Sequence, residues 1–458
     1  MFKMTLSKRA MQTFQHQSSI PRLPIPPLEN SLDHYLTSVK AIQENSTSIK
    51  KTESILQEFT PIGHKLHAML VKYDKTQANS WLEKIWLDKA YNIWRVPIMI
   101  NVNWWTSFQD PTHQKENTQI NRAASLIHGL IQMNTMINKQ QLPPEQTKTG
   151  QYMCMNQLKC IFQAYRTPFN PIDETLTHFP TISNYIVVLI KNQVYKVPID
   201  SSFTIPQIKY LLEQISVNSD DLQPNVGILT AIDRSTWANE YQQLLKDPVS
   251  KDSLETIKNA LFAVALDDKS HSTTIDKVYS IFHNYGQNRW FDIGLTIVVD
   301  KDGRAGCNGE HSPCDAVIPA NMFDFILKNE KPAHMTSVPV HASIEHLKFN
   351  STNSSLISTA TKEAKETASQ MTVELLHFDN FGANFIKSNG KCSPDAFIQL
   401  TLQLAYYLTH KQVDATYESA STRLFKHGRT ETCRSASIEM KQFVQNFYNL
   451  PVLVINVD

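Results

Sequence analysis

No apolar run in this chain approaches the roughly 18 residues that a membrane-spanning helix needs. The longest candidates, such as YIVVLI at Tyr185–Ile190, are of strand length. Cysteine is scarce. Six positions (154, 160, 307, 314, 392 and 433) in 458 residues do not make a disulfide framework, and they read as reduced thiols of an intracellular protein. Net charge is nearly absent, at +1, so the chain has no general pull toward nucleic acid or an anionic membrane; anion recognition must come from a local cluster. Internal repeats and low-complexity blocks are missing as well. No acidic residue precedes Glu29. The first twenty residues, MFKMTLSKRAMQTFQHQSSI, carry Lys3, Lys8 and Arg9 among frequent hydroxyls. That composition suits a mitochondrial presequence, and it also suits a disordered basic N-terminus without an address.

What is present is an ordinary globular composition, 41% apolar and 19% charged, long enough for two or three domains or one large two-lobed body. PRLPIPPLENSLDHYL (Pro21–Leu36) opens with four prolines in seven residues and reads as an extended arm laid on a surface, with Ser31 as the cap of the helix that follows. Helical spacing runs from about Asp33 to Tyr73, over Ser80–Arg95 and over Thr118–Met136. In the second of these, Leu87, Ala90, Tyr91 and Trp94 form a stripe expected in the core. The period then changes. Thr181–Ile199 reads as strand, turn at Lys191–Gln193, strand; Gly227–Leu245 as strand, loop, helix; Leu261–Leu266 as a buried strand. Trp290–Ser312 reads as a hairpin with arms Leu295–Val299 and Arg304–Asn308. Its turn is Asp300–Gly303, with glycine where a positive φ is needed. Interleaved helices and strands make the class α/β.

The densest chemistry lies in GRAGCNGEHSPCDAV (Gly303–Val317), where Cys307, Glu310, His311, Cys314 and Asp315 fall within nine positions. His311 comes just past the second hairpin arm, and Pro313 bars continuation of the ladder, so the imidazole belongs at a strand end beside a loop. Several readings are open at this level. Cys307, His311 and Cys314 have zinc-ligand chemistry, but their spacing lacks the paired C-x2-C and H-x3-H of common zinc modules. A cysteine nucleophile activated by His311 is a second reading. A structural histidine satisfied at a strand end is the third.

Read together with its surroundings, the segment resembles the active-site region of the carnitine/choline acyltransferase family. NRWFD (Asn288–Asp292) is followed by the hairpin and then by G-x-x-G-E-H-S-P-x-D (Gly306–Asp315). PRLPIPPL (Pro21–Leu28), CMNQ (Cys154–Gln157), RTP (Arg166–Pro168) and GILT-x3-R-x2-WA (Gly227–Ala238) are similar to further family segments. So are KCSPDAF (Lys391–Phe397) and ATYESASTRLF with GRT (Ala415–Thr430). The resemblance covers about residues 20 to 445 and is strongest to carnitine acetyltransferases.

It implies an acetyl or short-acyl transfer between coenzyme A and the hydroxyl of carnitine, in one ternary complex without a covalent acyl-enzyme. His311 is then the proton acceptor and Asp315 a supporting acid. The nucleotide end of coenzyme A falls to Lys387 and to Lys391, Cys392, Ser393, Pro394, Asp395, Ala396, Phe397 and Ile398. There a helix N-terminus capped by Ser393, with Pro394 in its first turn and two lysines beside it, makes a phosphate site. Phe397, Leu400, Leu404 and Leu408 are expected as that helix's core stripe. Tyr417 and Ser419, which share a strand face with Ser421, and Thr430 are assigned to the carnitine carboxylate. The hydroxyl at 430 favours carnitine over choline. No metal and no permanently bound cofactor are implied; coenzyme A or acetyl-CoA is a substrate.

The implied fold is two chloramphenicol-acetyltransferase-like lobes, each a mixed sheet flanked by helices, the second truncated. Residues 1–20 form the targeting segment, 80–350 the N-terminal lobe carrying the histidine, and 21–79 with 351–458 the incomplete C-terminal lobe. Expected partners are carnitine and acetyl-CoA, with peripheral organelle-membrane contact, no nucleic acid, a monomeric state, and a mitochondrial or peroxisomal location. The pattern departs from the family after about Val444. There QNFYNLPVLVINVD replaces the family's downstream carboxylate-binding arginine and serine-bearing segment, so a weakly active or inactive form that binds only coenzyme A or a partner is the competing expectation.

Overall fold

A computed structural model describes residues 12–110, 118–219, 222–331, 336–350 and 352–449. The chain divides into two compact units: residues 1–20 with 82–375, and residues 21–81 with 376–458. The strands, in chain order, are β1 (Trp104–Ser107), β2 (Ala164–Thr167), β3 (Glu174–Thr177), β4 (Tyr185–Ile190), β5 (Gln193–Pro198), β6 (Ala263–Leu266), β7 (Thr296–Val299), β8 (Ala305–Gly309), β9 (Glu345–His346), β10 (Tyr417–Ser421) and β11 (Thr430–Arg434).

In the first unit, seven strands form a mixed sheet in the order β1-β8-β7-β6-β4-β5-β9. β4, β6 and β7 run parallel and the other pairs antiparallel. YIVVLI is apolar at every position because both faces are covered. Ile186, Val188 and Ile190 face a core built with helices Gln119–Asn138, Ile205–Asn218 and Val317–Lys328. Val187 and Leu189 face the other, built with Arg234–Leu244, Pro248–Lys258 and Ser354–Ser369. The hairpin forms as expected one residue further on, at Thr296–Val299 and Ala305–Gly309, and its turn uses Gly303 at φ 83°.

Several local expectations fail for identifiable reasons. Val226–Ala231 is a fully buried 3₁₀ helix rather than a strand; continuous burial alone does not separate the two. Ser31 is no cap, because the helix starts earlier, at Leu28 after Pro27. The Ser80–Arg95 stripe breaks because the α-helix of Leu82–Trp86 passes into a π-helix at Leu87–Asn92. The wider turn buries the consecutive Tyr91 and Asn92 and leaves Trp94 exposed. Segment 352–375, expected with the second lobe, lies in the first unit. Helix Ser354–Ser369 there buries Ile357, Ala360, Ala364 and Ala368 in the core of Trp237 and Trp290. Residues 12–20 also pack in this unit: the buried Thr13 hydroxyl donates to the Leu142 carbonyl at 2.9 Å. Residues 1–11, which hold the basic groups of the presequence reading, lie outside the described residues.

The second unit contains helices Leu28–Ile42, Ser46–Asp74, Pro394–His410 and Ile438–Asn449. Its small core gathers Ala436, Met440 and Val444 with Ile42, Leu400 and Leu404. Among the described residues its sheet is the two-stranded β10–β11 ladder. The proline arm lies extended, tied down by Arg22, whose guanidinium donates to the Gln77 carbonyl at 2.7 Å and pairs with Asp74. No described helix is long and apolar enough to cross a membrane.

Candidate active site

β8 delivers the histidine. Gly309, its last residue, backs onto Trp104 so closely that a Cβ would lie 2.2 Å from the indole. Any side chain there would have to push the indole aside, so glycine suits this pair of β1 and β8. The next three residues alternate in setting: Glu310 and Ser312 are buried, and His311 is half-buried between them. The Tyr91 hydroxyl stands 3.2 Å from His311 Nδ1, and the two rings lie 5.3 Å apart at 31°. The Thr175 and Ser312 hydroxyls are 2.7 Å apart, and Thr175 donates to the Asn92 amide oxygen at 2.9 Å.

Beneath this surface lies a network of six charged side chains. Arg166 on β2 reaches Asp173 at 2.8 Å and Glu310 at 3.3 Å. Arg234 reaches Asp173 at 2.8 Å and Asp292 at 2.5 Å, and Arg95 meets Asp173 at 2.7 Å. The Trp237 indole donates to Asp292 at 2.7 Å. Three guanidinium groups therefore balance three carboxylates in a site where an unpaired charge would be very costly. Burial alone would lift the Asp173 carboxyl, but Arg234, Arg166 and Arg95 outweigh it and hold it below its ordinary range. For Asp292 burial wins over Arg234 and raises the carboxyl to about 6.

Asp315 is buried and exchanges two hydrogen bonds with Gln157. The amide donates to its carboxylate at 3.0 Å, and its own N–H donates to the amide oxygen at 2.7 Å. CMNQ and the histidine segment are thereby locked together. Cys307 and Cys314 are buried, and burial pushes the Cys307 thiol well above its ordinary range, away from a thiolate nucleophile. No group of three or more His, Cys, Asp or Glu side chains able to hold a metal occurs among the described residues.

The remaining candidates lie in the second unit. Lys387 sits in a π-helical turn, and Lys391 takes a left-handed conformation at φ 53° before Pro394–His410 begins. Pro394 occupies the first turn, but Ser393 makes no side-chain capping bond. Lys387 through Ser393, Asp395, Ala396 and Ile398 are exposed; Pro394 and Phe397 are half-buried. The expected apolar stripe is only partly used. Leu400 and Leu404 pack on the small core, Leu408 stays exposed, and Gln403 is the helix's one buried side chain. In the β10–β11 ladder Ser419 opposes Thr432, Ser421 opposes Thr430, and Tyr417 opposes Arg434. Directly paired residues share a face, so Tyr417, Ser419 and Thr430 line one side of this hairpin together with Arg434.

The sequence profile of the choline/carnitine O-acyltransferases matches residues 23–452. This chain belongs to that family. Human carnitine O-acetyltransferase is 34% identical to it over 469 residues, which span 96% of this chain and 74% of the relative. The mouse carnitine O-acetyltransferase is 36% identical, spanning 94% and 72% of the two chains. Mouse choline O-acetyltransferase is 31% identical, spanning 93% and 70%. The protein is an acyltransferase. The profile continues to residue 452, so the family resemblance does not end at Val444 as the motifs alone suggest.

Within this acyltransferase, several of the motif letters turn out to be parts of the charge network. Arg166 of RTP, Arg234 of GILT-x3-R-x2-WA, Asp292 of NRWFD and Glu310 of GEHS meet there. Asp173 and Tyr91 were not singled out for chemistry by sequence reasoning. Charged residues inside otherwise apolar motifs were a usable signal for the arginines. Tyr91 carried none, since an α-helical period does not foresee a π-turn.

Proposed function

We propose that this acyltransferase moves an acetyl or short acyl group reversibly between coenzyme A and the hydroxyl of carnitine, with His311 as general base. The observation that carries the reading is the Tyr91 hydroxyl at 3.2 Å from His311 Nδ1. In the tautomer whose Nδ1–H donates to the Tyr91 oxygen, Nε2 carries the lone pair, and this supports Nε2 as the nitrogen that takes the proton. Nε2 takes the proton of the carnitine hydroxyl as the oxygen attacks the thioester carbonyl. The tetrahedral adduct then collapses, the carbon–sulfur bond breaks, and the imidazolium returns its proton to the departing thiolate. In reverse the same nitrogen deprotonates the thiol. General-base assistance of this kind is worth roughly 10²–10⁴-fold. Asp315, held by Gln157, supports the segment electrostatically.

Lys387, Lys391 and the start of helix Pro394–His410 take the phosphates of coenzyme A, consistent with their exposure and with the positive end of a helix. Tyr417, Ser419 and Thr430 take the carnitine carboxylate from one face of the β10–β11 hairpin. Carnitine is preferred to choline as acceptor because Thr430 supplies a hydroxyl and the more similar relatives named above are carnitine enzymes.

A second reading, a chain that binds coenzyme A without turning it over, draws support from the exposure of the second unit's candidate residues. One assay decides between them. Coenzyme A release from acetyl-CoA is followed with carnitine and with choline, for the wild type and His311→Ala. Carnitine-dependent release that falls by at least about 10²-fold in the variant supports the transferase. Absence of release with either acceptor supports the binder.

A further inference from the structure

We propose that Arg166 is the positioning residue of this site: one buried guanidinium holds His311 and Tyr91 in mutual register, and so sets the rate of proton transfer without touching substrate. The inference rests on His311 being the base.

Arg166 is completely buried on β2, and its backbone N–H is fixed by the Asp292 carbonyl at 2.9 Å. Its three nitrogens reach four partners, one of them the Trp94 carbonyl at 3.4 Å from Nη2. Nη1 meets Glu310 Oε1 at 3.3 Å, on the residue immediately before His311. Nη2 donates at 2.9 Å to the backbone carbonyl of Tyr91, the residue whose hydroxyl faces the histidine ring. Nε donates at 2.8 Å to Asp173, which anchors the fork to Arg95 and Arg234. The other oxygen of Glu310 accepts the Ser312 N–H at 3.1 Å and also the Ser312 hydroxyl. The backbone on both sides of His311 is thus suspended from a single carboxylate, and that carboxylate is suspended from Arg166. The tyrosine is suspended from the same guanidinium through its main chain.

A buried ion group contributes little net stability over well-packed apolar side chains. What a guanidinium supplies here beyond packing is a planar fork of fixed geometry, which an ammonium on a flexible stem does not reproduce. General-base catalysis is sensitive to such placement, since a shift of about 1 Å can cost around 10²-fold in rate.

The test uses the full chain with ¹⁵N-labelled histidine, in wild type, Arg166→Lys and Glu310→Gln. The His311 signal is identified by its loss in His311→Gln. Both variants should fold, as judged by circular dichroism and a cooperative thermal transition. Their His311 nitrogen signals should move to the positions of free imidazole, and kcat should fall roughly 10–100-fold with KM for acetyl-CoA and carnitine near wild type. If Arg166→Lys fails to fold, the near-isosteric Glu310→Gln decides. A folded variant with an unmoved His311 signal and wild-type kcat overturns the proposal, as does a rise in KM without loss of kcat. Wild-type turnover in His311→Gln would instead remove the base assignment, while the ring signals would still report whether Arg166 holds the ring.

Discussion

The two units place their candidate chemistry in opposite settings. In the first, His311 stands on a sheet covered on both faces, above six charged groups, five of them completely or almost completely buried. In the second, Tyr417 is 66% exposed, Lys387 and Lys391 face solvent, and helix Pro394–His410 buries only Gln403. Charges in the first setting act in a low dielectric, so their geometry is rigid and breaking one pair is expensive. Charges in the second are screened within about 8 Å at physiological salt, so they steer and bind more than they stabilise. The same kind of substitution should therefore do different things in the two places.

The largest expected effect is in the network. Arg234→Met leaves Asp173 and Asp292 short of a cation in a buried site. The unfolding free energy should drop by about 3–5 kcal/mol, read from urea denaturation of the first unit's transition. A loss below about 1 kcal/mol would erase the contrast drawn between the units.

Next comes an acid-dependent loss carried by His283. Burial, with the charge of Arg289 adding to it, pushes this imidazole down to about 4. The residue is fully buried, and its Nδ1 accepts the Tyr285 N–H at 3.0 Å. An unfolded histidine titrates near about 6.5. Between the two values the unfolded chain binds a proton that the folded chain refuses. Stability is therefore full above about pH 6.5 and declines as pH falls toward about 4, by roughly 3 kcal/mol in all. His283→Asn keeps the acceptor and removes the titration. Its stability should be lower overall but flatter across that window, and an unchanged slope would transfer the acid sensitivity to another group.

Much of the first unit was legible because its signals are local. The β4–β5 and β7–β8 hairpins declare themselves through apolar runs broken by short turns, and Gly303 marks the one position of its turn that needs a left-handed backbone. His311 lies just past the end of β8, where its neighbours in the sequence put it. What could not be read was assembly over distance. Arg166, Arg234, Asp292 and Glu310 are spread over more than a hundred positions, and only the packing of β2, β8 and helix Arg234–Leu244 makes them one network. The π-turn that brings Tyr91 to His311 also has no periodic signature. In the second unit the apolar stripe of Pro394–His410 predicted burial at Leu408 and did not obtain it. A stripe states which face is apolar and does not state what covers it.

The smallest effect on folding should be the most informative about the second unit. Lys387→Ala and Lys391→Ala remove exposed ammonium groups with no structural load, so unfolding free energy should stay within about 0.5 kcal/mol of wild type. If these lysines meet the phosphates of coenzyme A, each change should raise KM for acetyl-CoA roughly threefold to tenfold and leave kcat in place. Because the contact is screened, the penalty should shrink as salt rises from low to several hundred millimolar. In Glu310→Gln the defect should instead lie in kcat and be nearly indifferent to salt. A salt-insensitive loss at Lys387 or Lys391, or a salt-sensitive one at Glu310, would mean that burial does not divide the two sites as their geometry implies.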